Sequence, residues 1–108
     1  MEKKKRTINR DFPKEKYIRL MSQNLPILRI RLGISQEELA ELIGSSKQMI
    51  SLIERGVRPM MWDTFMSMQY VFRRNSETRD MLQFFGIYTK EFDDFINIAG
   101  QEEEGSRG

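Results

Sequence analysis

Apolar residues in this chain recur at helical rather than strand spacing. Phe92, Phe95 and Ile96 fall at i, i+3 and i+4, whereas no stretch sustains the period-two alternation of a half-buried strand. The punctuation between the apolar runs predicts consecutive helices. Pro13 suits the first turn of a helix carrying Tyr17, Ile18 and Met21. Pro26 removes a backbone hydrogen bond and disfavours helical geometry at Leu25, so a break or kink is expected between "YIRLMSQN" and "PILRIRL" before Gly33 closes the second piece. Ser35 opens the next helix with a capping box, "SQEE", in which Glu38 reaches back to the cap amide. That helix is expected to bury Leu39, Leu42 and Ile43, with Ala40 small enough for a close neighbour, and to stop at Gly44.

Another helix then starts at Ser45 or Ser46 and ends at Gly56. Ser45 has Gln48 three residues on, as a capping box requires, while Ser46 suits a tighter turn. "VRPMM" reads as a turn and "WDTFMSMQYVFRRN" as a buried helix, with Arg73 and Arg74 favouring its C-terminal dipole. Ser76 is expected to cap "ETRDMLQFF", and Thr89 to cap "KEFDDFINIA". The fold class predicted is all-α. Residues 1–12 read as a basic flexible arm, 13–100 as one helical domain and 101–108 as a disordered acidic tail.

Composition narrows the chemistry. The 108 residues include no cysteine and no histidine, which excludes disulfides, Cys/His zinc sites and His-based triads. No nucleophile with an adjacent base and no phosphate-cradling glycine loop stands out, so neither an enzyme nor a bound cofactor or metal is expected. No apolar run approaches the ~18 residues of a membrane span, and the expectation is a soluble, cytoplasmic protein. Net charge is only +2 but unevenly spread. Residues 1–31 carry ten Lys/Arg against three Asp/Glu, residues 32–58 three against four, and residues 59–108 five against nine. A basic front and an acidic back suit a polyanionic partner approached from one side.

One helix has an odd residue. With Ile50 at zero and about 100° per residue, Ile53 falls near −60°, while Gln48, Ser51, Leu52 and Arg55 gather between about 100° and 200°. Leu52 therefore points away from the side that Ile50 and Ile53 bury. The two helices joined by "IGSS" are too closely spaced to lie antiparallel, and with glycine in the turn they suit a helix-turn-helix crossing.

The residues sharpen this. From Leu28 to Phe72, "LRIRLGISQEELAELIG", then S-x-x-x-I-S-x-I-E-R-G, then "DTF" entering the next helix resemble the Cro and phage-repressor type of helix-turn-helix domain, often called the xenobiotic response element family. The resemblance implies a compact bundle of about five helices, here with an added N-terminal helical segment and C-terminal helices. Residues 35–43 would form the first helix of the motif and 46–54 the recognition helix, which enters the major groove of double-stranded DNA. Base readout would fall to Ser46, Lys47, Gln48, Ser51 and Leu52: Gln48 offers its amide to adenine, Lys47 reaches guanine or a phosphate, and Leu52 touches a thymine methyl. Gln36, Arg55 and Arg58 would meet phosphates. Arg29 and Glu54 match family positions that pair inside the domain. Two departures stand out, with Trp62 where leucine is usual and Met61 in place of a polar cap.

The function implied is a sequence-specific DNA-binding transcriptional regulator acting as a repressor. Apolar residues Met81, Leu82, Phe84, Phe85, Ile87, Tyr88, Phe92, Phe95 and Ile96 suggest a homodimer through the C-terminal helices, residues 76–98. The alternative is an antitoxin or interaction module that binds a protein partner with the same helices. The N-terminal "KKKR" resembles the basic arms that add DNA contacts in some such proteins.

Overall fold

The structure, a computed structural model, describes residues 7–97. The basic run at 3–6 and the expected tail at 101–108 lie outside the described residues. Six helices and no strand are found among the described residues: α1 (Lys14–Leu32), α2 (Gln36–Ile43), α3 (Lys47–Glu54), α4 (Trp62–Arg73), α5 (Ser76–Phe84) and α6 (Lys90–Ile96). The fold is all-α, and no helix is long and apolar enough to cross a membrane among the described residues.

α1 is the strut against which α3, α4 and α5 pack. It runs unbroken through Pro26, contrary to the expected break. The reason lies in which side each residue takes. Tyr17, Met21, Leu25 and Leu28 form one fully buried stripe, and Pro26 falls well round from it, so the lost hydrogen bond and the ring clash sit on the outer half of the helix. Burying each large side chain contributes about 1.5–3 kcal/mol, which together outweigh the ~3 kcal/mol that an interior proline costs.

α2 buries Leu39 and Ala40 and half-buries Ile43, but Leu42 is exposed, which corrects the expectation that it is core. On a helix of eight residues the face centred on Leu39, Ala40 and Ile43 leaves Leu42 at its edge. The cap of α5 is Asn75, not Ser76: its Oδ1 accepts from the Glu77 and Thr78 amides at 2.9 and 3.3 Å. Thr78 Oγ1 in turn donates to the Phe72 carbonyl at 2.6 Å, locking the short α4–α5 corner. Thr89 Oγ1 accepts from the Phe92 amide at the start of α6. Met61 occupies the cap position of α4 without a side-chain hydrogen bond.

An aromatic cluster closes one end of the bundle. Phe12, assigned to the flexible arm on sequence, is buried there, stacked on Phe95 at 4.3 Å and on Tyr17 at 4.8 Å between ring centroids. A single apolar side chain among basic and polar neighbours gave no periodic signal, yet aromatic stacking holds it. Trp62 stacks on Phe65 at 4.8 Å, and the Lys14 ammonium lies 5.0 Å from the Trp62 ring. The Tyr17 hydroxyl meets Thr89 Oγ1 and donates to Glu91 Oε1 at 3.0 Å, tying the start of α1 to α6.

Burial raises the Tyr17 phenol above its ordinary pKa, with Thr89 lowering it and Glu91 raising it further. The fold therefore holds the neutral phenol. A group whose folded pKa is raised contributes stability that is intact below its unfolded value of 10.0 and is lost as pH climbs through the folded value. Urea titrations from pH 8 to 11.5 are expected to show wild type losing stability above pH 10 more steeply than Tyr17→Phe, which at neutral pH costs about 1 kcal/mol.

Candidate nucleic-acid interface

The helix-turn-helix is α2, a three-residue turn and α3. Gly44 ends α2 in the left-handed region at φ 73°, where its missing Cβ carries no steric penalty, and the Ser45 amide donates back to the Ala40 carbonyl at 2.8 Å. Ser46 is the cap of α3, its Oγ accepting from the Met49 amide at 3.1 Å. Of the two serines, the tighter turn is the one formed. Capping uses a lone pair of Ser46 and leaves its hydroxyl hydrogen free to donate.

α3 buries Ile50 and Ile53 against the core and half-buries Met49. Its outer side carries exposed Lys47 and Gln48 and is extended by exposed Arg55 and Arg58. Ser51 and Leu52 are half-buried, so Leu52 is less open than its position opposite Ile50 suggests. The chain folds back at this level, with the Val57 and Arg58 amides both donating to the Leu52 carbonyl at 2.9 and 3.2 Å. Ser46, Lys47, Gln48, Ser51, Leu52, Arg55 and Arg58 thus lie on one helix and the turn that follows it.

What aims this helix is a buried polar knot. Arg29 Nε donates to Glu54 Oε2 at 2.7 Å and its Nη2 to Oε1 at 3.2 Å, a bidentate pair whose side chains are only 15% and 7% exposed. The remaining Arg29 arm, Nη1, donates to the Ile34 carbonyl at 3.1 Å in the α1–α2 turn. Gln36 Nε2 donates to Glu54 Oε1 at 2.9 Å. One carboxylate therefore fixes α1, the turn after it, α2 and α3 relative to one another. Glu54's hydrogen bonds raise the Arg29 guanidinium pKa further, against the opposing effect of burial.

Gln36 was expected at a phosphate, and the structure spends one of its amide hydrogens inside the protein instead. The other hydrogen stays available, beside first-turn amides of α2 that have no acceptor within the helix. The link between Gln36 and Glu54 was missed on sequence because nothing in an 18-residue spacing announces it.

Glu54→Ala strands the Arg29 guanidinium and the Gln36 amide, and is expected to cost about 3 kcal/mol in urea unfolding. Arg29→Met combined with Glu54→Leu should cost less than Glu54→Ala alone, since no charge is then left buried without its partner.

Comparison with known proteins agrees with this geometry. A helix-turn-helix family model matches residues 27–60, from the last turns of α1 to the loop before α4. The match is shorter than the resemblance read from Leu28 to Phe72. No curated protein and no solved structure matches the chain. The match supports the resemblance of residues 27–60 to a helix-turn-helix unit of the Cro and phage-repressor type, and suggests a DNA-binding regulator.

Proposed function

We propose that the protein is a sequence-specific transcriptional regulator, a repressor, that reads the major groove of double-stranded DNA with α3 and binds as two copies joined through the C-terminal helices. The observation that carries this is the outer side of α3: Lys47 and Gln48 stand exposed on a helix whose opposite side is buried and whose end is clamped by Glu54, with exposed Arg55 at its C-cap. A rigid, pre-aimed set of donors is what discrimination between base pairs needs, because each misplaced hydrogen bond forfeits its contribution.

Each side chain takes a part. Gln48 offers adenine a paired donor and acceptor, Lys47 meets guanine acceptors or a phosphate, Ser46 donates its free hydroxyl hydrogen, and Ser51 and Leu52 line the groove, Leu52 against a thymine methyl. Arg55, Arg58 and the second amide hydrogen of Gln36 take phosphates on either side. Phosphate neutralisation supplies most of the affinity, and the base edges supply the choice of site.

The reading in which the C-terminal helices wrap a protein partner draws on apolar residues that the fold itself uses. Leu82, Ile87 and Phe92 are fully buried, and Met81, Phe85, Tyr88 and Phe95 pack half-buried against the same core. Of that apolar set Phe84 and Ile96 stay exposed, which leaves the alternative only a narrow surface.

Selection of bound duplex from a random pool tests the proposal. Wild type is expected to enrich an inverted repeat with half-sites about 34 Å apart, and Gln48→Ala to lose preference at one base pair per half-site with a cost of about 1–3 kcal/mol. On the selected site, Arg55→Ala should lower the slope of log affinity against log salt by about 1 while leaving the preferred sequence unchanged. A pool that returns without any preferred sequence would refute the specific-reader assignment.

A further inference from the structure

A cleft opens between α3 and the start of α4. It holds about 450 Å³, the size of site that takes a small organic molecule, and its walls include Ser45, Met49, Ile53, Arg58, Met61 and Thr64. The departure at Met61 helps to keep it open. Where a polar cap would turn back over the first turn of α4, the Met61 side chain makes no cap hydrogen bond and is 66% exposed.

Much of the lining is apolar and adaptable. Buried Ile53, half-buried Met49 and exposed Met61 present branched carbon and two flexible thioethers. One cation shares the site. Arg58 is exposed and its guanidinium has no partner among the described residues, nor have the hydroxyls of Ser45 and Thr64. Asp63, whose Oδ1 accepts from the Thr64 amide at 2.8 Å, offsets the positive end of α4, so recognition of charge falls to Arg58.

DNA held against the outer side of α3 does not fill this cleft. At about 100° per residue, Met49 and Ile53 centre about 130° round the helix from the group Gln48, Ser51, Leu52 and Arg55. Only Arg58 belongs both to the cleft and to the proposed phosphate contacts.

We infer that the cleft is an effector site for a small amphipathic carboxylate. The acid group pairs with the planar fork of Arg58, the apolar body lies against Met49, Ile53 and Met61, and the Ser45 and Thr64 hydroxyls serve a polar substituent. An ammonium ligand would meet Arg58 with like charge, and a neutral one would leave it unpaired. Occupancy takes the Arg58 guanidinium from the DNA backbone. The two ligands therefore oppose each other, each weakening the other by the same factor. This coupling rests on the proposed DNA reading; the site itself does not.

Titration of the full chain with octanoate and with benzoate, followed by calorimetry and amide chemical shifts, tests the site without DNA. Each acid is expected to bind saturably, one per chain, with shifts gathered on residues 45, 49, 53, 58, 61 and 64. Octylamine and octanol should bind at least about 10-fold more weakly, and Arg58→Gln should weaken octanoate by about the same factor. Met61→Asp gives α4 a cap acceptor and the rim a negative charge, so it should also weaken octanoate while the thermal midpoint holds or rises. Absence of saturable binding, shifts centred elsewhere, or equal binding of octylamine overturns the site. So does a solution dimer that octanoate dissociates, which would give the cleft to a second copy. On a selected duplex, saturating octanoate is expected to raise the DNA dissociation constant of wild type about 5-fold and to leave that of Met61→Asp unchanged. Unchanged wild-type affinity for DNA at saturation overturns the coupling. Octanoate binding by a chain that selects no DNA sequence overturns the DNA reading and leaves the site standing.

Discussion

The arrangement of this protein depends on the carboxylate of Glu54. It sits at the last residue of α3, almost buried, and accepts three hydrogen bonds from two side chains on two other helices. Burying a charge is expensive, and the cost is offset only where geometry is close and every lone pair is used. Here the planar fork of Arg29 meets the carboxylate in two places and spends its remaining arm on the Ile34 carbonyl. A lysine at position 29 offers no such fork. The alternatives to this geometry strand a charge, so the angle of α3 to α1 and α2 is set more sharply than hydrophobic contact alone would set it.

From that constraint the division of labour follows. α1 is long because it must serve both ends: at Arg29 it holds the helix-turn-helix, and at Tyr17 it enters the aromatic cluster with Phe12, Phe65, Phe92 and, through Phe12, Phe95. α4 fills the middle with Phe65, Met68 and Phe72, and α5 and α6 close the far side. On the side of α3 that is left, exposed Lys47 and Gln48 carry little of the burden of stability. Its residues are free to be chosen for what they meet outside, which is the condition for a readout surface.

Much of this was legible in the sequence. The capping box at Ser35, the glycine at 44 and the pair Ile50 and Ile53 are local signals, and local chemistry decides them. Legibility ended where distant packing decides. Pro26 forbids a helix locally, yet a buried stripe running from Tyr17 to Leu28 overrides it. Leu42 has the spacing of a core residue and is exposed because only tertiary contact says where the centre of a two-turn face lies. Phe12 looked like part of an arm because a single stacking residue has no period. On the outer side of α3, residues were placed by wheel geometry, but the half-burial of Leu52 and the hold of Gln36 on Glu54 depend on chain that folds back from elsewhere. The C-terminal apolar residues illustrate the same limit: their number suggested a surplus, and the fold absorbs all of it except Phe84 and Ile96.

The claim that α3, held by Glu54, is the surface that meets DNA can be tested on the free protein in solution. Amide chemical shifts of isotope-labelled chain, followed during titration with a short duplex carrying a selected half-site, report which residues the DNA approaches. The account predicts that perturbations concentrate on the amides of 36–37 and 46–58, while the interior of α4 and α6 stays unmoved. Perturbations centred on α5 and α6, with α3 silent, would contradict it.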